Sequence, residues 1–175
     1  MIQWIIVLGV ATGMRTMTAM AALCWFMWFA AMPVTRLNFW TANFVAVLVF
    51  TVFAFGEYYG DTLAGTPSRK SFLPLTARLV FGVLAGVLLD SSWMEPLAGG
   101  VILGVVGVLI GTFGGYRLRM YFAGRVGRDF PVAVSESALA LALSGVAMWR
   151  ISADMAMQNE SLVRKVLQRV SELAS

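Results

Sequence analysis

Five charged side chains stand in stretches that are otherwise apolar: Arg15, Glu57, Asp61, Arg117 and Glu136. Charge inside a lipid bilayer costs roughly 2.5–3.5 kcal/mol per group on insertion scales, so such residues face a partner or a water-filled cavity. Two cations and three carboxylates can do two kinds of work there. As sealed pairs they fix the register of packed helices. As an open set they bind an anionic group or relay a proton. Glu57 and Asp61 are four residues apart, which puts both on one face of a helix. Arg15 is followed by Glu57, and Arg117 by Glu136, so each half of the chain supplies a cation and a carboxylate.

The residue types that are absent narrow the chemistry further. There is no histidine and a single cysteine, Cys24. Zinc sites, histidine-ligated haem and disulfide frameworks are therefore not expected, and no metal or cofactor is assigned. No nucleophile–base pair can be assembled, so no catalytic residues are assigned and the chain is not read as an enzyme. Cys24 lies in an apolar aromatic run and reads as a packing residue. Met14, Met17 and Met20 recur at helical spacing, which fits packing far better than a copper path. The glycine-rich stretch near residue 110 is not followed by Gly-Lys-Ser/Thr and is no phosphate loop. A net charge of +4, concentrated in two loops, gives no basis for nucleic-acid binding.

The elements that must position the five residues are membrane spans. The 175-residue chain is 59% hydrophobic and 13% charged, with a mean hydropathy of +0.80. A soluble domain carries roughly 25% charge. The expected architecture is an all-α integral membrane protein with about five transmembrane helices, at residues 2–31, 39–59, 75–89, 97–116 and 131–149. The first segment lacks a basic stretch before its apolar run and reads as a retained span, not a cleaved leader. At about 45 Å it is longer than one crossing needs, so it is either strongly tilted or broken near Gly13. Met32-Pro33 ends it.

Lys and Arg gather on the cytoplasmic side of membrane proteins. Arg69, Lys70 and Arg78 follow the second span, and Arg117, Arg119, Arg125 and Arg128 follow the fourth, so both of these loops are placed inside. Arg78 reads as snorkelling to the inner interface. Trp25, Trp28, Trp40, Trp93 and Trp149 fall near outer ends, and Tyr58, Tyr59, Tyr116 and Tyr121 near inner ends, where amphipathic rings sit at the interface. The N-terminus is then cytoplasmic if the first segment crosses once.

Glycines organise the packing. Gly100, Gly104, Gly107, Gly111 and Gly115 line one face of the fourth span, where small residues let helix backbones approach. Gly9 and Gly13 do the same in the first. Gly9, Gly13 and Arg15 are matched by Gly111, Gly115 and Arg117 at a constant offset of 102 residues. The spans that carry them start on opposite sides, so the expectation is two degenerate, inverted repeats. Beyond Trp149, residues 151–175 read as an amphipathic helix with Leu162, Val163, Val166, Leu167, Val170 and Leu173 on its apolar side.

The pattern resembles a family of small bacterial inner-membrane proteins of unknown function. The features that carry the resemblance are Gly13-Met-Arg15, Glu57-Tyr-Tyr-Gly-Asp61 with Pro67, Arg78-Leu-Val-Phe-Gly82, Gly111 to Arg117, and Pro131 with Glu136, over about residues 8 to 145. Where that family often has a lysine after the aspartate, this chain has Thr62. The resemblance implies a multi-pass bundle in the bacterial inner membrane and no established activity.

The reading for function is transport of a small anionic or lipid-linked solute through a charged site between the halves. Membrane lipids surround such a protein, and a homo-oligomer is expected, since one chain offers few helices to enclose a path. The alternative is a non-transporting subunit that scaffolds or regulates another complex through residues 158–175.

Overall fold

The computed structural model describes residues 2–29, 31–60, 72–126 and 129–174. Among these the protein is all-helical, 91% helix without strands. Six α-helices follow in order: α1 (Ile2–Met14), α2 (Thr16–Trp28), α3 (Phe44–Gly60), α4 (Phe72–Trp93), α5 (Leu97–Val126) and α6 (Asp129–Ala174). A short 3-10 turn, Phe39–Ala42, leads into α3. Three stretches are long and apolar enough to cross a membrane: Pro74–Trp93 in α4, Leu97–Phe122 in α5 and Pro131–Ser171 in α6. The apolar α3 has 17 residues, about 25 Å, at the short limit for a span.

The first apolar segment is two helices, not one. α1 and α2 have 13 residues each and meet at Arg15, whose backbone is extended at φ −142°, ψ 104°. Each is about 20 Å long, short of the ~30 Å hydrocarbon core. The chain folds back at the break. Trp4, near the start of α1, lies 5.8 Å from the Arg150 guanidinium. Residues 31–33, just past α2, line a cavity with Trp149 and Met155. The Arg15 side chain instead reaches Ala133 of α6, nearer the helix start by almost five turns. Both arms of the hairpin therefore open toward one end of the bundle and its tip points to the other. The single crossing on which a cytoplasmic N-terminus depended is not what the chain forms. With Trp4 at the open end, all six tryptophans fall in that half of the bundle.

Glycines set the closest approaches. Gly9 faces Gly107, and Gly13 faces Gly111 and Thr112, so α1 and α5 run side by side in the same direction. Gly86 faces Gly100 and Gly82 faces Gly104, which closes α4 and α5 as an antiparallel hairpin. Backbones this close gain van der Waals contact in lipid, where no hydrophobic force drives helices together. The parallel course of α1 and α5 is a correction to the expectation of inverted halves, which would set matched helices in opposite directions. The spatial register also differs from the sequence match: Gly13 meets Gly111, one helical turn before Gly115.

The core lies where the hairpin meets α4 and α6. Ile5, Leu8 and Ala11 of α1 and Met20, Leu23 and Met27 of α2 pack with Ala85, Leu88 and Leu89 and with Ala147, Met148 and Ile151. α3 lies against α2 and exposes Val45, Leu48, Val52 and Phe55, as a lipid-facing helix does. The turn from α4 to α5 puts Met94 in the left-handed region at φ 56°, with Glu95 N–H bonded back to the Asp90 carbonyl. This is the helix ending that glycine usually provides.

α6 is one helix of 46 residues, about 69 Å. No break separates the span ending near 149 from the amphipathic stretch that follows. Residues 156–171 are all exposed and continue the axis beyond the bundle. The tail is thus an extension of a spanning helix, and its course is fixed by α6, not by a membrane surface.

Candidate functional site

The hairpin tip carries a polar cluster that joins α1, α2, α3, α5 and α6. Ending α1 at Arg15 starts a new helix, whose first amide N–H groups need acceptors. Arg15 is the N-cap residue and its side chain makes no capping bond. The cap comes from α3. Glu57 Oε1 accepts from the Thr16 N–H at 3.0 Å, and Oε2 accepts from the Met17 N–H at 2.9 Å. Both oxygens of one carboxylate thus sit on the positive end of α2, where a helix dipole favours an anion.

Arg15 is the largest fully buried side chain, at 1% exposure. One guanidinium nitrogen donates to the Ala133 carbonyl at 3.3 Å, and the group lies 5.5 Å from the centre of the Tyr58 ring, within cation–π range. The Tyr58 hydroxyl is 2.7 Å from Thr18 Oγ1. On the opposite side Thr112 Oγ1 donates to the Gly13 carbonyl at 3.2 Å, a carbonyl in the last turn of α1. The tip is therefore tied to α3, α5 and α6 at once. Non-helical backbone at membrane depth is tolerated only where it is buried in protein or lines a water-filled cavity. These bonds meet that condition.

A second charged group lies between α5 and α6. Glu136, 7% exposed, has its Oε2 3.8 Å from Arg119 Nη1. The pair borders a cavity of about 370 Å³ whose walls include Met14, Leu118, Phe122 and Leu139. Met14 immediately precedes Arg15, so hairpin tip and cavity are neighbours.

Of the five residues singled out from sequence, Arg15 and Glu57 converge. Glu136 faces the adjacent cavity. Arg117 is exposed and joins neither group, so its expected role as a charge partner beside Arg15 is corrected. Asp61 lies outside the described residues. The cation that meets Glu136 is Arg119. Gly100, Gly104, Gly107, Gly111 and Gly115 define the packing face of α5, and Arg119 stands one turn past Gly115 on that face. Arg117 is two residues past it and points elsewhere. That spacing was visible in the sequence. Arg78, expected to snorkel to the inner interface, is buried within the bundle at 6% exposure. Gly115 is buried and borders the cavity.

Thr18 and Thr112 had no sequence signal beyond being polar, and Tyr58, expected at the inner interface, packs its ring against Arg15 and its hydroxyl against Thr18. At the opposite end a further polar knot holds the chain between α2 and α3. Asn38, 1% exposed, accepts from the Thr35 N–H at 2.6 Å and donates to Ser92 Oγ at 2.7 Å and to the Pro33 carbonyl at 3.2 Å. Asp90 accepts from the Gly100 N–H near the start of α5. These bonds satisfy backbone and hold the turns; they point at no ligand. Among the described residues no group of three or more acidic or cysteine side chains forms a metal site.

Comparison with known proteins gives no relative: no protein-family model matches the chain, and neither the curated proteins nor the solved structures contain a match.

Proposed function

We propose that this is a bacterial inner-membrane transport protein for a small anion, worked by the re-entrant hairpin α1–α2. The reading is carried by one observation: a protein carboxylate, Glu57, occupies a helix N-terminus beside a buried arginine. Such a terminus is a ready anion-binding site, and half-helices that end inside a membrane commonly present their N-termini to anionic solutes. Glu57 fills the site in the closed state. Protonation of Glu57 removes its charge, loosens its hold on the Thr16 and Met17 amides, and frees them for an anion from outside. Arg15 supplies the balancing positive charge. Proton and anion then move together.

In this topology α3, α4, α5 and α6 cross the membrane and the hairpin enters and returns. The basic ends of α4 and α5 face the cytoplasm, and the N-terminus lies on the outer side with residue 93. A second copy completes the enclosure of the path.

Reconstitution of the full chain into liposomes tests this. A panel of halides, formate and phosphate is applied with and without a pH gradient. Anion flux should depend on the gradient, lose that dependence in Glu57→Gln, and fall at least tenfold in Arg15→Lys. Flux that is unchanged in both variants, or absent in the unmodified chain, overturns the proposal.

A second reading, a non-transporting subunit, is favoured by a separate observation. The tail at residues 156–171 extends beyond the bundle with Leu162, Val166 and Val170 exposed. A stoichiometric partner recovered with the full chain and lost on deleting residues 162–175, together with absence of flux, would decide for it.

A further inference from the structure

The cavity between α5 and α6 adjoins the hairpin tip through Met14 but carries its own charged pair, Arg119 and Glu136, distinct from the Glu57 cap. Its position says how a ligand reaches it. Leu118, Phe122 and Leu139, all about half exposed, line the cavity from the outward surfaces of two spanning helices. In a bilayer those surfaces meet lipid, so a ligand enters sideways from the membrane. A volume of about 370 Å³ lies within the range of small-molecule sites, roughly 300–1,000 Å³. The cavity is too small for a whole lipid and large enough for a headgroup, with the chains lying along the exposed apolar side chains.

The polar part of the wall selects the headgroup. Arg119 is the cation, with its side chain 18% exposed, and Glu136 is the carboxylate, with its side chain 6% exposed. A purely anionic headgroup gains from Arg119 and is repelled by Glu136, 3.8 Å away. A purely cationic one meets the reverse. A headgroup with both charges satisfies both. The guanidinium fork matches phosphate oxygens, and a primary ammonium carries three N–H donors for the carboxylate. A quaternary ammonium has none.

We propose that the α5–α6 cavity is a lipid site for a headgroup with a phosphate and a primary ammonium, the phosphate held by Arg119 and the ammonium by Glu136. Phosphatidylethanolamine is the lipid class with this chemistry. The site lies at the end of the bundle where α5 carries its basic residues, so it takes lipid from that leaflet.

The test uses the full chain, delipidated in detergent and placed in nanodiscs with phosphatidylethanolamine, phosphatidylglycerol or phosphatidylcholine, with bound lipid counted by native mass spectrometry. The unmodified chain should retain phosphatidylethanolamine at least tenfold better than either of the others. Arg119→Gln should lose the phosphate contact and reduce retention of all three. Glu136→Gln should abolish the preference for phosphatidylethanolamine over phosphatidylglycerol while retaining the latter. Equal retention of the three lipids by the unmodified chain overturns the proposal without reference to any variant. Soluble phosphoethanolamine at the same concentration should not displace the lipid; if it does, the ligand is the free headgroup and the lipid assignment falls.

Discussion

Arg15 and Arg117 end two glycine segments of the same spacing, and they are put to opposite uses. Arg15 is sealed at 1% exposure against α3 and α6, while Arg117 is exposed on α5. The difference lies in what the backbone does beside each. At Arg15 the helix stops, the chain turns, and the amides of Thr16 and Met17 are received by Glu57. At Arg117 the helix continues unbroken to Val126, and no amide is released that would need an acceptor. A matching pair of glycines brings both helices close to a neighbour. It does not decide whether a helix breaks; an acceptor placed to receive the new N-terminus does.

The largest effect should separate the two arginines directly. Arg15→Ala removes a buried charge from a bonded cluster, a class of change that costs about 3–5 kcal/mol. Arg117→Ala, on an exposed surface, should stay within about 0.5 kcal/mol. Thermal unfolding of the detergent-solubilised protein reads both, and comparable shifts would break the contrast. A smaller effect should separate two glycines of α5. A Cβ on Gly107 would come 2.6 Å from the Ile6 carbonyl oxygen, whereas one on Gly114 meets nothing within 4 Å. Gly107→Leu should destabilise by about 1–3 kcal/mol or more through overpacking, and Gly114→Leu should be close to neutral. The smallest effect concerns the cap. Glu57→Ala should cost about 1 kcal/mol, the usual value of an N-cap contact. Amide hydrogen exchange at Thr16 and Met17 should accelerate while α5 stays protected. Exchange that is unchanged there would show that Glu57 does not hold the end of α2.

Much of the architecture was legible because membrane helices advertise themselves through apolar length and loop charge. The starts of α4, α5 and α6 follow from Pro74, Pro96 and Pro131, whereas their ends run past the apolar stretches at 89, 116 and 149 to Trp93, Val126 and Ala174. The break in the first segment was legible as a choice between tilt and interruption. Its outcome was not, because folding back depends on Glu57, 42 residues later, and on the carbonyl of Ala133. Neither is encoded near Gly13. The inverted-repeat expectation failed for a related reason. It took the direction of α1 from one assumed crossing, and the hairpin reverses the end at which the chain begins. Arg119 is not distinguished by charge from its basic neighbours Arg117 and Arg125; its helical phase, one turn past Gly115, is what sets it on the packing face.

The dependence of α2 on Glu57 also bears on how the chain is made. The two arms of the hairpin emerge from the ribosome before anything that can complete them. Neither arm reaches across a bilayer alone, and the amides of Thr16 and Met17 stay without their acceptor until the end of α3 has been synthesised. Gly9 and Gly13 wait longer still, for α5, and Arg15 for α6. The hairpin is therefore among the last elements to reach its final place, since α3, α5 and α6 all follow it in the chain. The order of synthesis thus runs opposite to the order of settlement.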